Sequence, residues 1–231
     1  MAMKLKPRSP RDKGGPTILA DMIEGVRYTY VHPGIFAVLA ITLVSHLLIR
    51  PYIDLLPAFA DAVFNAGENG FAMLAGASGL GSFVGGLWLS IRGRNEGLTR
   101  ILCSGILGGA LFLIIFASTK NYFLGLICMG ALGFCLIIMA VSSQSLIQNS
   151  VDASKRARVI SLSTGIAVGF PAIGALVLGL FSDFWGVQGP TLLAGLSCLI
   201  YSSWAVRRLL SQSSSLELNS KKANHNHNSA Q

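Results

Sequence analysis

Three ionisable side chains lie four residues apart in the first long apolar stretch of the chain: His46, Arg50 and Asp54. In an α-helix this spacing puts them on one face. Ionisable groups inside a membrane are costly and tend to face a bundle interior or a watery cavity. Three interpretations stay open: an ion pair between Arg50 and Asp54 that only orients the helix, a substrate path, or proton coupling through Asp54 or His46.

Prolines interrupt the helices that would position these groups. Pro51 and Pro57 remove backbone N–H donors within the same stretch, which favours a flexible gate and an exposed carbonyl in a cavity. Pro171 predicts a kink in a later stretch, where a neighbouring helix must satisfy the freed carbonyl.

Enzyme motifs are absent from the sequence. It contains no H-E-x-x-H and no G-x-S-x-G, the motifs of zinc peptidases and serine hydrolases. The four cysteines lie in apolar stretches without a C-x-x-C pair, as small core residues do. We therefore expect no enzyme activity, no cofactor and no metal site.

Six apolar stretches must carry the polar residues, and most are near the ~20 residues that a helix needs to cross a bilayer. They predict an all-α polytopic membrane protein with six transmembrane helices. The stretches are Gly34 to Phe64, Phe71 to Ile91, Ile101 to Ser118, Tyr122 to Ser143, Val159 to Phe181 and Pro190 to Val206.

Basic residues mark alternate junctions between the stretches. They are Lys4, Lys6, Arg8, Arg11, Lys13 and Arg27 before the first stretch, Arg92, Arg94 and Arg100 after the second, Lys155, Arg156 and Arg158 after the fourth, and Arg207, Arg208, Lys221 and Lys222 after the sixth. By the positive-inside rule, this pattern predicts a multi-pass protein of the plasma (inner) membrane with both termini in the cytoplasm.

Composition supports a membrane protein. The chain is 52% hydrophobic and 12% charged, whereas a soluble average is about a quarter charged. The net charge of +8 would suggest nucleic acid as a partner of a soluble chain. Here the basic residues lie beside the membrane and meet anionic lipid head groups, so we expect membrane lipid and no nucleic acid as a partner.

Three regions are predicted. Residues 1–33 form a cytoplasmic arm, in which Thr17 to Tyr30 has the apolar spacing of a short amphipathic helix. Residues 34–208 form the six-helix bundle. Residues 209–231, rich in Ser, Asn and His, form a disordered cytoplasmic tail.

Glycines predict close helix packing. Gly81 with Gly85, and Gly165 with Gly169, are small-x-x-x-small pairs, which let helix backbones approach closely in a membrane bundle.

Four segments together resemble the C-terminal half of a major facilitator superfamily transporter, in the enterobactin-exporter-like branch of drug and siderophore exporters. They are EGVRYTYVHPGI (24–35), RPYIDLLPAFA (50–60), GLWLSIRGRN (86–95) and QSLIQNSVDASKRARV (144–159). The resemblance covers about residues 20 to 208. It implies one half, a 3+3 inverted repeat, of a twelve-helix fold, with RPYIDLLP at the start of the seventh helix.

The resemblance assigns roles to further residues. It implies that the first and fourth helices line the central cavity, which makes Gln144 a second candidate for the substrate or ion path beside a helix-end hydrogen-bonding role. Gly93, Arg94, Arg156 and Arg158 become candidates for a cytoplasmic gate or for topology determinants. The family's cytoplasmic acidic position is Ser90 here, which puts any charge relay through that position in doubt.

The function predicted is transport of small molecules, as the C-terminal half of a secondary-active efflux transporter that works by alternating access. Its partners would be a small-molecule substrate and a second six-helix bundle, either a separate N-terminal half or a second copy in a homodimer. The alternative is a non-transporting truncated remnant or an accessory membrane subunit.

Overall fold

The computed structural model describes residue 27 and residues 29–93, 97–151 and 153–207. Most of the predicted arm with its amphipathic helix, and nearly all of the tail, lie outside these residues. Within them the chain is helical, without strands, and six helical spans are long and apolar enough to cross a membrane. The predicted fold class is confirmed.

The first span, Pro33–Val63, has three parts. Helix α1 covers Pro33–Leu48, helix α2 covers Tyr52–Ala58, and a π-helical turn covers Phe59–Val63. The other spans are single helices: α3 Gly67–Arg92, α4 Leu98–Ser118, α5 Tyr122–Ser150, α6 Ala153–Trp185 and α7 Gln188–Arg207.

Two helices extend beyond the apolar stretches that predict them. Helix α5 continues past Ser143 to Ser150, and α6 begins at Ala153, well before Val159. The added segments are polar, so hydropathy alone does not detect them. A helix nevertheless continues there because it satisfies its own backbone N–H and C=O groups.

Helix α5 is the centre of the bundle. Helices α3 and α4 pack along it, α1 packs on α6 and more lightly on α5, and α2 contacts α3 and α6. Helix α7 lies against α4, since Gly195 faces Ile114 and the Gln188 side-chain amide donates to the Ala117 carbonyl at 2.9 Å. The core is apolar and includes Phe59, Phe116, Leu102, Leu132 and Met129.

Charges divide the bundle into two ends because successive spans cross it in opposite directions. At the end that we call the basic end, α3 stops at Arg92, α4 starts beside Arg100, and α6 starts beside Arg156 and Arg158. The opposite end carries Asp61, Glu68, Asp183 and Lys120.

Candidate functional site

A cavity of about 140 Å³ lies between the first span, α3 and α5. Its lining consists of Ser45, His46, Arg50, Tyr52, Ser82, Leu136, Ile137, Met139 and Ala140. Arg50, Ser82 and Leu136 are each near the middle of their spans. Because the rise per residue is constant along a helix, we place this cavity, which we call the central cavity, near mid-depth of the bundle.

The first span is broken where it enters the central cavity. The Ser45 carbonyl accepts from the N–H of Ile49 at 2.9 Å and also from the N–H of Arg50 at 3.0 Å, five residues on. The Tyr52 N–H then bonds only three residues back, to the Ile49 carbonyl. Pro51 has no N–H and starts the next helix. The interruption predicted from Pro51 is therefore present.

This break separates Asp54 from His46 and Arg50. His46 and Arg50 both line the central cavity, Arg50 with an exposed side chain. Asp54 is also exposed but does not line the cavity. No ion pair joins Arg50 and Asp54 in the structure. The prediction that Asp54 shares a face with His46 and Arg50 is wrong. Four-residue spacing puts side chains on one face only where each residue turns the helix by 100°, and the hydrogen bonds of the break do not keep that turn.

His46 is held in one orientation by the backbone. Its Nδ1 lies 2.8 Å from the carbonyl oxygen of Thr42. A carbonyl only accepts, so Nδ1 carries the proton and Nε2 is left to accept a hydrogen bond or a proton. The Ser45 hydroxyl donates to the same carbonyl at 2.9 Å.

Hydroxyl pairs fix α1 and α2 to the rest of the bundle. The hydroxyls of Thr42 and Ser143 lie 2.7 Å apart and connect α1 to α5. The hydroxyls of Tyr52 and Ser78 also lie 2.7 Å apart and connect α2 to α3. The break at Ile49–Pro51 therefore lies between two anchored helices.

Sequence reasoning missed Tyr52 and the α3 wall of the cavity. The Ser82 hydroxyl donates to the Gly133 carbonyl at 3.1 Å and lines the cavity from α3. Ser78 and Ser82 are i, i+4 in an otherwise apolar helix, so they share a face. That spacing indicates a polar face on α3, although the many glycines around it make the pattern hard to recognise in the sequence.

Glycines bring α3 onto α5 beneath the cavity. A Cβ at Gly81 would collide with the Gly130 carbonyl oxygen, and a Cβ at Gly133 would collide with the Ser78 carbonyl oxygen. Gly85 lies against the Phe134 carbonyl, where a Cβ would be 3.1 Å away. The predicted packing role of Gly81 and Gly85 is confirmed.

Gly174 of α6 packs against the break itself. A Cβ there would collide with the carbonyl oxygen of Leu47, the group that Pro51 deprives of its usual i+4 donor. By contrast, a Cβ added at Gly165 or Gly169 would have no atom of the described chain within 4 Å. The prediction of close packing inside this bundle is wrong for these two, because they lie on the exposed face of α6.

The remaining candidate path and kink residues are dispersed. Gln144 is half-buried on α5 toward the basic end and does not line the central cavity. Pro57 is exposed inside α2, just before the π-helical turn. Helix α6 continues through Pro171.

The candidate gate residues lie at the basic end. Gly93 ends α3 with a left-handed φ of 56°, and its N–H bonds to the Leu89 carbonyl at 3.3 Å. A glycine suits this C-terminal position because it has no Cβ. Arg156 is exposed and Arg158 half-buried in the first turns of α6. Arg94 lies outside the described residues.

A second, larger cavity is apolar. It has a volume of about 430 Å³, lies between α1, α6 and α7, and is lined by residues such as Phe36, Leu39, Ile166, Phe170 and Tyr201. It contains no charged side chain among the described residues. Its lining offers apolar contact and little that could orient a ligand.

Known proteins resemble this chain over most of its length. The family model described as "Transmembrane secretion effector" matches residues 5–230. An uncharacterized MFS-type transporter of Bacillus subtilis (strain 168), YfmI, is 26% identical over 203 residues, which are 86% of this chain and 49% of that protein. Macrolide efflux protein A of Streptococcus pyogenes is 23% identical over 182 residues, 78% of this chain and 45% of that protein.

The chain thus spans about half the length of these relatives. No solved structure matches it significantly. The six apolar spans and the family match together describe a multi-pass membrane protein. The chain belongs to the transmembrane secretion effector family of the major facilitator superfamily, a superfamily of transporters.

Proposed function

We propose that this chain is the C-terminal six-helix half of a secondary-active efflux transporter that works by alternating access. The observation that carries the proposal is the central cavity at mid-depth, with Arg50 and His46 in its wall. Secondary transporters bind substrate near the bilayer midplane, between two helix bundles that rock against each other. The name of one relative, macrolide efflux protein, supports the direction of transport.

The resemblance of RPYIDLLPAFA and EGVRYTYVHPGI to the elements around a seventh helix supports assignment as the C-terminal half. On this assignment His46 and Arg50 belong to the substrate or ion path. Gln144 belongs to the part of the path nearer the basic end, while Asp54 serves the outer entrance. Pro51, Pro57 and Pro171 provide the places where helices bend during gating.

Two open helix faces support a second bundle as the partner. Among the described spans, α3 and α6 are the least buried. Both carry glycines with open space around them, namely Gly76, Gly79 and Gly86 on α3 and Gly165, Gly169 and Gly179 on α6. Small residues favour close helix contact in membranes. A first six-helix half suits these faces better than a second copy, because it would complete the length of the relatives.

We propose that the protein lies in the plasma membrane. Its basic end faces the cytoplasm, because Lys and Arg are retained on that side. Gly93, Arg156 and Arg158 then lie where the two bundles would close on the cytoplasmic side, and Arg94, outside the described residues, is assigned to the same gate by the resemblance alone. Their charges would both fix topology and bridge to the partner bundle.

The test is reconstitution with and without a first half. Vesicles containing this chain alone should move no substrate, and co-reconstitution with the first six helices of a full-length relative should produce saturable efflux. A macrolide and a panel of amphipathic fluorescent dyes, some anionic and some cationic, are suitable probes. Saturable transport by a demonstrated monomer would overturn the proposal. Inactivity with every first half would instead favour a remnant or an accessory subunit.

A matched pair of variants tests the partner surface. Gly165→Leu adds a large side chain to the open face of α6, whereas Ser203→Leu adds one to the exposed face of α7. The first should weaken co-purification with the first half and the second should not, with helicity unchanged in both. Equal co-purification would show that α6 does not form the contact surface.

A further inference from the structure

The central cavity contains one charged group that the described structure leaves unpaired. Arg50 forms no hydrogen bond through its side chain and no ion pair with any described residue. It shares the cavity wall with His46 and Tyr52. An arginine near the middle of a span is costly unless it meets water, a partner charge or a ligand.

The other side-chain hydrogen-bond donors of the cavity already have protein partners. His46 Nδ1–H and the Ser45 hydroxyl are directed to the Thr42 carbonyl. The Ser82 hydroxyl donates to the Gly133 carbonyl, and Tyr52 is paired with Ser78. The guanidinium of Arg50 is thus the lining group whose N–H donors have no partner among the described residues. No carboxylate of the described residues lines the cavity.

The wall opposite Arg50, formed by α5, determines what kind of group a bound ligand can carry beside its charge. Leu136, Ile137, Met139 and Ala140 of α5 provide an apolar surface. A cavity of about 150 Å³ is known to hold one benzene ring, and the central cavity is of similar size, about 140 Å³. The space therefore accommodates a small apolar body that carries one polar head group.

We infer that the central cavity recognises organic anions, with a carboxylate bound in a fork by Arg50 and the apolar body on α5. Arginine is suited to this because its planar guanidinium matches a carboxylate with two parallel hydrogen bonds. An anionic lipid head group is a poor source of the charge, since head groups lie at the membrane surface and Arg50 lies near mid-span. The inference rests on the proposed function, whose substrate class it specifies.

Binding to the full chain in nanodiscs of zwitterionic lipid tests the inference without a second bundle. The probes are benzoate, benzamide and benzylamine, which share one ring and differ in charge. Equilibrium dialysis should show saturable binding of benzoate, at least tenfold tighter than that of benzamide or benzylamine. Equal binding of the three probes, or no binding of benzoate, would overturn the inference.

Three variants connect the preference to Arg50. Arg50→Gln should reduce the ratio of benzoate to benzamide affinity to about one, and Arg50→Lys should keep part of it because the charge remains without the fork. Arg100→Gln is the matched control, since Arg100 is exposed at the start of α4 and lies outside the cavity, and it should keep the full ratio. An unchanged ratio in folded Arg50→Gln would refute the role of Arg50, as would an equal loss of the ratio in folded Arg100→Gln.

The two proposals fail in different ways. If benzoate binds but no first half restores transport, the proposed function fails and the anion site stands. If transport is restored without preference for anionic probes and independently of Arg50, the proposed function stands and the anion site fails.

Discussion

Replacing Gly133 by alanine tests whether the contact between α3 and α5 sets the geometry of the central cavity. The new Cβ would meet the Ser78 carbonyl oxygen and would lie 2.9 Å from its carbon and 3.1 Å from the Ser78 Cα. These are backbone atoms, so relief requires the two helices to separate. The same helix shift would stretch the hydrogen bond from Ser82 to the Gly133 carbonyl.

The magnitude follows from two opposing effects. Overpacking a tight contact costs about 1–3 kcal/mol, and alanine recovers roughly 1 kcal/mol of helix propensity over glycine. We expect Gly133→Ala to lower the free energy of unfolding by about 0–2 kcal/mol. Gly165→Ala, which adds a Cβ where nothing lies within 4 Å, should gain only the propensity, up to ~1 kcal/mol.

Reversible unfolding in mixed micelles, followed by far-ultraviolet circular dichroism, measures both variants. The expected difference between them is about 2 kcal/mol, or about thirtyfold in the unfolding equilibrium. Gly81→Ala should resemble Gly133→Ala, and the double variant should be less destabilised than the sum, because one separation of the helices relieves both contacts. If Gly133→Ala and Gly165→Ala agree within about 0.5 kcal/mol, the contact does not constrain the bundle.

Three further outcomes are expected. A double-mutant cycle of Thr42→Val and Ser143→Ala, measured by the same unfolding assay, should give a coupling of about 0.6 and at most about 1.7 kcal/mol; strict additivity would mean that the hydroxyls do not meet. Asn121→Ala should cost about 1 kcal/mol of unfolding free energy, because the Asn121 side chain accepts from two N–H groups at the start of α5; an unchanged stability would exclude this cap. A reporter active only outside the cytoplasm should be silent after Leu210 and active near Asn65; the opposite pair of results would reverse the topology.

Sequence reasoning predicted the spans because hydropathy measures what a bilayer requires of a helix. It did not predict the helix ends that consist of polar residues, because hydropathy does not detect them. The polar extension of α5 to Ser150 and the early start of α6 at Ala153 are held by backbone hydrogen bonds and not by apolar content. The predicted boundaries were too short for that reason.

The site was predicted only in part. His46 and Arg50 share a cavity as the spacing suggested, but Asp54 does not, since the five-residue bond from Arg50 to Ser45 changes the helical phase. A proline signals an interruption without specifying which hydrogen bonds replace the lost one. The glycine pattern likewise predicts close approach but not the partner: Gly81 meets α5, whereas Gly165 meets nothing among the described residues of this chain.

One hydroxyl pair beside the break gives the site a property that rigid groups lack. The Thr42 hydroxyl donates to the Val38 carbonyl at 2.8 Å, so Ser143 is the donor to Thr42. Between Tyr52 and Ser78, by contrast, either oxygen can be the donor. Rotating two O–H bonds therefore reverses the local dipole while the heavy atoms stay in place. Such side-chain rotations are far faster than helix movements. The walls can thus adjust their polarisation to an arriving charge well before the bundle itself moves.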